Sequence, residues 1–384
     1  MADARMVAGC ACAHLFSSIF YNARVKTWDV IVIGGGIIGL SLAIALRKRG
    51  ARVLVVERGE PGREASHAAG GMLVDCSVET PPQLQPLATA SARMYPEFAY
   101  ELQVEAGVPV DLREFGSIVF PQPEHVHERA GFTLESLLPA PLAELEPELA
   151  DPKRPAFFLK ERSVDPRALT LAALKTAKRR GVDFSSGDAA TAVNLSDGRV
   201  TGITTTKTSF HAPKVVNCGG AWSGQVAPHV FPTRPVKGQM LCLVMSPRGL
   251  VKHVVRSPEV YLIPRSDGHL LVGATVEEAG FDKRTVPATI KRLHRAALAL
   301  VPRLADSRIL EDWAGLRPGT PDALPILGAT VTPGYYVATG HFRDGILLAP
   351  ITAQVMAHVI SGEKSEHNLA PFAPARFAGP RAFS

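Results

Sequence analysis

Cysteine is scarce in this chain of 384 residues: there are five, at positions 10, 12, 76, 218 and 242, too few and too scattered for a disulfide framework. A reducing, intracellular setting follows, and the cytoplasm is the expected location. Cys10, Cys12 and His14 lie close together, but no second group of ligands follows at zinc-site spacing, so no metal is expected. Aromatic residues make up only 7% and do not interleave with basic ones as a nucleic-acid-binding surface would require. No run of 18 apolar residues occurs, so no stable membrane insertion is expected. Charge of one sign is also in small excess, at +6. The densest basic run, Lys178-Arg179-Arg180, closes a helix-like stretch that stops at Gly181, where cations offset the helix dipole. So mild a field gives only a slight preference for an anionic substrate.

What is present is an ordinary globular composition, 46% hydrophobic and 20% charged, in a chain long enough for two domains or one with a large insertion. The first 27 residues carry only a weak apolar run before the first clear strand, and are expected to form a disordered N-terminal tail. VAGC at 7–10 has the look of a lipoprotein cleavage site, but six residues before it leave no room for the apolar stretch of a signal.

The most specific stretch is WDVIVIGGGIIGLSLAIALRKRGARVLVVERG, residues 28–59. A buried strand runs into Gly34-x-Gly36-x-x-Gly39, a helix follows to Arg49 and stops at Gly50, and a second strand ends at Glu57. Gly34 permits the tight turn, Gly36 lets a pyrophosphate approach the backbone, and Gly39 lets the helix pack close to the strand. The helix N-terminus offers N–H groups and partial positive charge to phosphates. Glu57 can accept from a ribose diol and would repel the 2′-phosphate of NADP. These residues leave FAD and NAD both open. GREASHAAGGML, residues 62–73, is dense in small residues around Ser66; that suits a backbone lying against a flat ring, and equally a close-packed loop.

Further along, KVVNCGGAWSG (214–224) reads as a buried strand ending in glycines. EVYLIPRSDGHLLVGAT (259–275) reads as a hairpin turning at Ser266-Asp267-Gly268. In WAGLRPGTPDALPILG (313–328), Arg317 ends a strand-like run that Pro318 and Gly319 should stop, with no acid nearby before Asp322. That arginine must reach solvent or meet an anion. Finally, a strand at Tyr335–Ala338, the turn GHFRDG and an apolar helix from Ile346 to Ile360 suggest that the C-terminus returns to the first sheet.

GGGIIG, EASHAAGGML, CGGAWSG, GLRPGTPDALPILG and GHFRDGILLAP occur in the order found in FAD-dependent glycine oxidases, the thiazole-synthesis members of the D-amino-acid oxidase superfamily, and the chain resembles that family over roughly residues 28–362. The resemblance implies an α/β fold. A discontinuous Rossmann-like FAD-binding domain would take 28–84, 156–230 and 318–365. A substrate domain with a mixed or antiparallel sheet would take 85–155 and 231–317, with a C-terminal tail over 366–384. By motif, Gly34, Gly36, Ile37, Ile38 and Gly39 fall at the phosphate turn, and Glu57 and Arg58 at the adenosine ribose. Ala65, Ser66, His67, Gly70, Gly71 and Met72 would line the flavin, and Ala190 would meet adenine by its backbone. His341, Phe342, Arg343, Asp344, Gly345, Ile346 and Leu347 would wrap the pyrimidine end of the ring. Arg317 and Arg343 would hold the substrate carboxylate, with Tyr261 as a hydroxyl partner. Asp344 departs from the family, which often has Asn there. Related dehydrogenases bond FAD through a histidine placed like His67; a packed or hydrogen-bonded His67 is the commoner arrangement.

The implied activity is oxidative deamination of glycine, sarcosine or small D-amino acids to an imine and then a 2-oxo acid, with O2 reduced to H2O2. The glycine imine would feed thiazole synthesis for thiamine. The family often forms tetramers. Two other classes compete: an FAD-dependent dehydrogenase acting on D-amino acids or N-methylglycines with a non-oxygen acceptor, and a non-catalytic flavoprotein.

Overall fold

The computed structural model describes residues 27–75, 80–120, 135–151 and 153–377; Cys10, Cys12, His14, Cys76 and nearly all of the expected N-terminal tail lie outside this range. Val30–Ile33 consists of four buried β-branched residues, the pattern of a strand covered on both faces. It sits inside a six-stranded sheet in the order Ile326–Ala329, Tyr335–Thr339, Val215–Asn217, Val30–Ile33, Val53–Glu57, Asp183–Ser186. The pairings are parallel except for the first, where Ile326–Ala329 runs antiparallel to Tyr335–Thr339. Val30–Ile33 is flanked by Val53–Glu57, the next strand of the sheet in sequence, on one side and by Val215–Asn217 on the other. Such a reversal of strand order opens a crevice at the carboxyl ends of the strands, which is where ligands bind in open α/β sheets.

Helices Ile37–Lys48 and Ala349–Ser361 pack together on this sheet, and Pro166–Arg179 packs beside the first. The last starts cleanly: Asp165 caps it by accepting from Arg167 N at 2.8 Å, a proline follows, and Lys178 and Arg179 occupy its final turn. Gly181 stops it at φ 76°, a left-handed conformation that suits glycine. Each fully buried Leu, Val or Ile on these faces contributes about 1.5–3 kcal/mol of burial free energy.

The second large sheet has eight strands in the order Arg308–Gly319, Arg234–Val244, His269–Gly273, Tyr261–Pro264, Val254–Arg256, Ser117–Val119, Ala156–Leu159, Glu135–Leu137. The 259–275 stretch forms its hairpin, with Tyr261 opposite Gly273. Arg308–Gly319 does not stop before Pro318: that residue pairs with Pro235 and Gly319 with Arg234. The strand lies at the sheet edge, where a proline's missing donor costs nothing.

Two segments sit differently from the domain ranges read in the sequence. Helix Gln85–Ala106, read as the start of the substrate insert, buries Leu87, Ala88, Tyr95, Ala99 and Leu102 in the core of the dinucleotide sheet. Strand Ala156–Leu159, read as FAD domain, pairs into the eight-stranded sheet instead. The C-terminal stretch from 366 is docked as far as Phe377: Phe372 is buried, and Arg376 Nε meets Asp322 Oδ2 at 2.7 Å.

Candidate active site

A cavity of about 880 Å³ runs from the crevice of the six-stranded sheet to the face of the eight-stranded one. At the first end, helix Ile37–Lys48 begins after Gly36 with no side-chain cap. The helical geometry leaves its first amides without carbonyl partners, aimed at the crevice. Ser66 Oγ takes one of them, from Ile37 N at 2.9 Å. A Cβ on Gly36 would meet only Ser66 Oγ, at 3.3 Å, so its open side is the cavity. Gly34 faces the opposite constraint: at φ 104°, a Cβ would come within 2.8 Å of the Cys218 carbonyl carbon. Glu57 is buried, and its two oxygens accept from Gly35 N at 2.7 Å and Gly59 N at 2.9 Å. Those bonds hold both turns around the crevice and present an anion at its rim, which suits a ribose diol and opposes a 2′-phosphate. A long cleft, unshielded helix amides, an open glycine face and a buried carboxylate together fit FAD. Arg58, Ala190 and Trp222 line the same end.

The middle of the cavity is walled by Ala65, Ser66, Gly70, Gly71 and Met72 on one side and by the turn from His341 to Ile346 on the other. Two side chains of the Gln85–Ala106 helix fix that turn: Tyr95 Oη donates to Ile346 O at 2.5 Å and Ser91 Oγ to Leu347 O at 2.6 Å. Phe342 sits at φ 45°, and Asp344 N bonds back to His341 O at 2.8 Å. His341 is buried with Nε2 3.1 Å from Thr352 Oγ1; burial pushes its pKa down to about 3, so the ring is neutral at physiological pH.

At the far end, alternate residues of the eight-stranded sheet form the floor. Gly238 and Met240 on one strand lie opposite Gly315 and Trp313 on the next. Tyr261 lies between Gly273 and Arg256. The Arg317 guanidinium lies flat on Gly238, where a Cβ would come 2.6 Å from its Cζ. Its Nη1 donates to Thr275 O at 3.1 Å. Among the described residues, no carboxylate lies within ion-pair distance of Arg317. Tyr261 stands beside it; burial raises its pKa, Arg317 and Arg343 oppose that rise, and the phenol stays protonated. Behind Arg317, Thr275 Oγ1 donates to Glu277 Oε1 and accepts from Gln239 N at 2.9 Å, while Gln239 Nε2 donates to Glu277 Oε1 at 2.8 Å. This network fixes the carbonyl that orients the guanidinium.

Three residues carried over by motif stand off the cavity wall. Gly39 faces the strand: a Cβ there would overlap the Gly34 carbonyl oxygen, so it serves helix packing. Leu347 is buried in the core, with its carbonyl held by Ser91. His67 does not line the cavity; burial and the nearby Arg167 and Arg63 lower its pKa. Conversely, Gly238, Met240, Arg256 and Trp222 line the cavity and Thr275 O holds Arg317, and no local motif marks them. The alternation in RPVKGQMLCLV puts Gly238 and Met240 on one face of a strand, and that was the available signal.

The model of the DAO family, described as FAD dependent oxidoreductase, matches residues 29–359. The bifunctional protein ThiO/ThiG of Trichormus variabilis is 34% identical over 364 residues, covering 91% of this chain and 55% of that protein. The chain thus spans about half the length of such bifunctional relatives. Glycine oxidase of Pseudomonas aeruginosa is 32% identical over 363 residues, covering 90% of this chain and 98% of that one. The crystal structure of glycine oxidase from Geobacillus kaustophilus superimposes with a TM-score of 0.87 at 31% identity, covering 92% of this chain and all of that one.

Proposed function

The chain belongs to the DAO family of FAD-dependent oxidoreductases, and from that premise we propose that it oxidises glycine or a closely related small amino acid at the carbon between amine and carboxylate. The observation that carries this is Arg317: a guanidinium laid on Gly238, tied to Thr275 O, without a carboxylate partner among the described residues, in the cavity that also holds the dinucleotide turn. Two parallel hydrogen bonds from Arg317 to a substrate carboxylate would fix the reacting carbon in the middle of the cleft. Tyr261, kept neutral, adds a donor without a competing charge. Arg343 lines the same cavity from the turn, and its charge reaches Tyr261. Met240 beside Tyr261 keeps the floor apolar, which strengthens the charge pairing.

Bound FAD supplies the hydride acceptor. The amine must be neutral, so that its lone pair forms the C=N bond as hydride leaves; its proton goes to solvent. With FAD bound, the two electrons taken from the substrate would pass with two protons to O2, giving H2O2, and the imine would hydrolyse to glyoxylate and ammonia or pass to thiazole assembly, as the likeness to ThiO/ThiG suggests. The protein's part is orientation and electrostatics. Oxygen uptake and peroxide formation with glycine, sarcosine and D-alanine test the reading. Flavin reduction without oxygen uptake would replace the oxidase with a dehydrogenase using another acceptor. Failure of all three to reduce the flavin would overturn the proposal.

A further inference from the structure

The loop after the hairpin leaves the substrate sheet and reaches across to the dinucleotide end of the cleft. Glu277 anchors its base by paired backbone bonds with Lys237, both 2.9 Å. Val276 lines the cavity. Farther out, Phe281 stacks on Trp222 with ring centroids 5.3 Å apart and a 30° tilt. Trp222 in turn lies under the Arg58 guanidinium, whose carbon is 4.4 Å from the ring centroid. Beyond Phe281, Lys283 Nζ meets both oxygens of Glu64, at 3.1 and 3.0 Å. Arg58, Glu64 and Trp222 all line the cavity. Phe281 is 44% exposed, yet its ring is spent on a residue of the other sheet rather than on its own core.

We infer that residues 276–283 form a strap that retains the cofactor, in which Phe281 and Trp222 position Arg58 against the adenosine end of FAD and the Lys283–Glu64 pair latches the strap. The inference rests on the FAD reading of the cleft. Arg58, which lines the cavity, is the member that would meet the cofactor; a long, flexible arginine loses less rotamer freedom on binding when an aromatic face already holds it. Trp222 and Phe281 are positioning residues, since each acts through the next. The latch is an exposed ion pair, so its own contribution is small and salt-sensitive. The consequence is that cofactor exchange depends on a loop of the substrate side, which must come off Trp222 before the dinucleotide leaves.

The test is the rate at which FAD leaves the holoenzyme after dilution, followed by the rise of free-flavin fluorescence. Phe281→Ala should speed release about five- to tenfold, the scale of a lost aromatic pair that also loosens Trp222 under Arg58. Phe281→Tyr keeps the ring and should release at the parental rate. Raising ionic strength from about 0.05 to about 0.5 M should speed release from the parent more than from Lys283→Ala. Parental release rates in both Phe281→Ala and Lys283→Ala would overturn the strap; so would Phe281→Tyr behaving like Phe281→Ala. A parent protein that holds no FAD would instead sink the functional reading itself.

Discussion

At the dinucleotide end of the cleft, most of the contributing groups come from the unbroken stretch Val30–Arg58, and most are backbone: helix amides and glycine faces, beside the one side-chain carboxylate, Glu57, that ties two turns together. At the substrate end, Arg317, Gly238 and Tyr261 come from separate strands of one sheet and meet only through cross-strand register, while Thr275 reaches Arg317 from the loop that follows strand His269–Gly273. Glycine serves both ends differently. Gly36 leaves its open side to the cavity, whereas Gly238 leaves space for a side chain of the protein itself. A local motif can therefore specify a cofactor, but a substrate site also depends on which residues a sheet places opposite one another.

That contrast can be broken most sharply at Gly36. Gly36→Val should fold, because its Cβ meets only Ser66 Oγ, yet the purified protein should lose its flavin absorbance. Full FAD occupancy in that variant would show that the open face is not the pyrophosphate's. Next in size is Arg317→Ala, which should keep FAD and cost roughly 30- to several-thousand-fold in kcat/KM for glycine. Arg317→Lys should recover only part, since an ammonium cannot make the two-pronged contact. Gly238→Ala sharpens the comparison further. Its methyl would displace the Arg317 guanidinium while leaving the dinucleotide end untouched, so kcat/KM should fall about 10- to 100-fold with FAD content unchanged. Equal kcat/KM in parent and Gly238→Ala would mean the guanidinium's resting position is irrelevant. Tyr261→Phe should have the smallest effect, about three- to tenfold in kcat/KM, the loss of one hydrogen bond.

The two ends were also unequally legible from sequence. Strand, glycine turn, helix and acid in 28–59 lie within reach of one another along the chain, so their chemistry follows from spacing alone. The 259–275 hairpin was equally clear, because its turn residues bracket two apolar runs. Arg317 was visible as an arginine lacking an acid, but its neighbours were not: nothing local says that Gly238 and Thr275 will surround it. His67 and Leu347 show the opposite failure. Each is adjacent in sequence to residues that line the cavity, yet neither lines it, and Leu347 is buried in the core instead. The packing of helix Gln85–Ala106 is hard to read for a related reason: its partners on the dinucleotide side are far away in the chain.

The measurement that tests the central claim most directly is anaerobic flavin reduction by glycine and by methylamine, in the parent and in Arg317→Ala, followed by bleaching of the visible flavin band. If the missing partner of Arg317 is the substrate carboxylate, glycine should reduce the parent flavin far faster than methylamine. The substitution should then remove most of that advantage while leaving the slow methylamine reaction nearly unchanged. An equal loss for both amines would make Arg317 structural, and no loss for either would move the carboxylate to another residue, with Arg343 the first to examine.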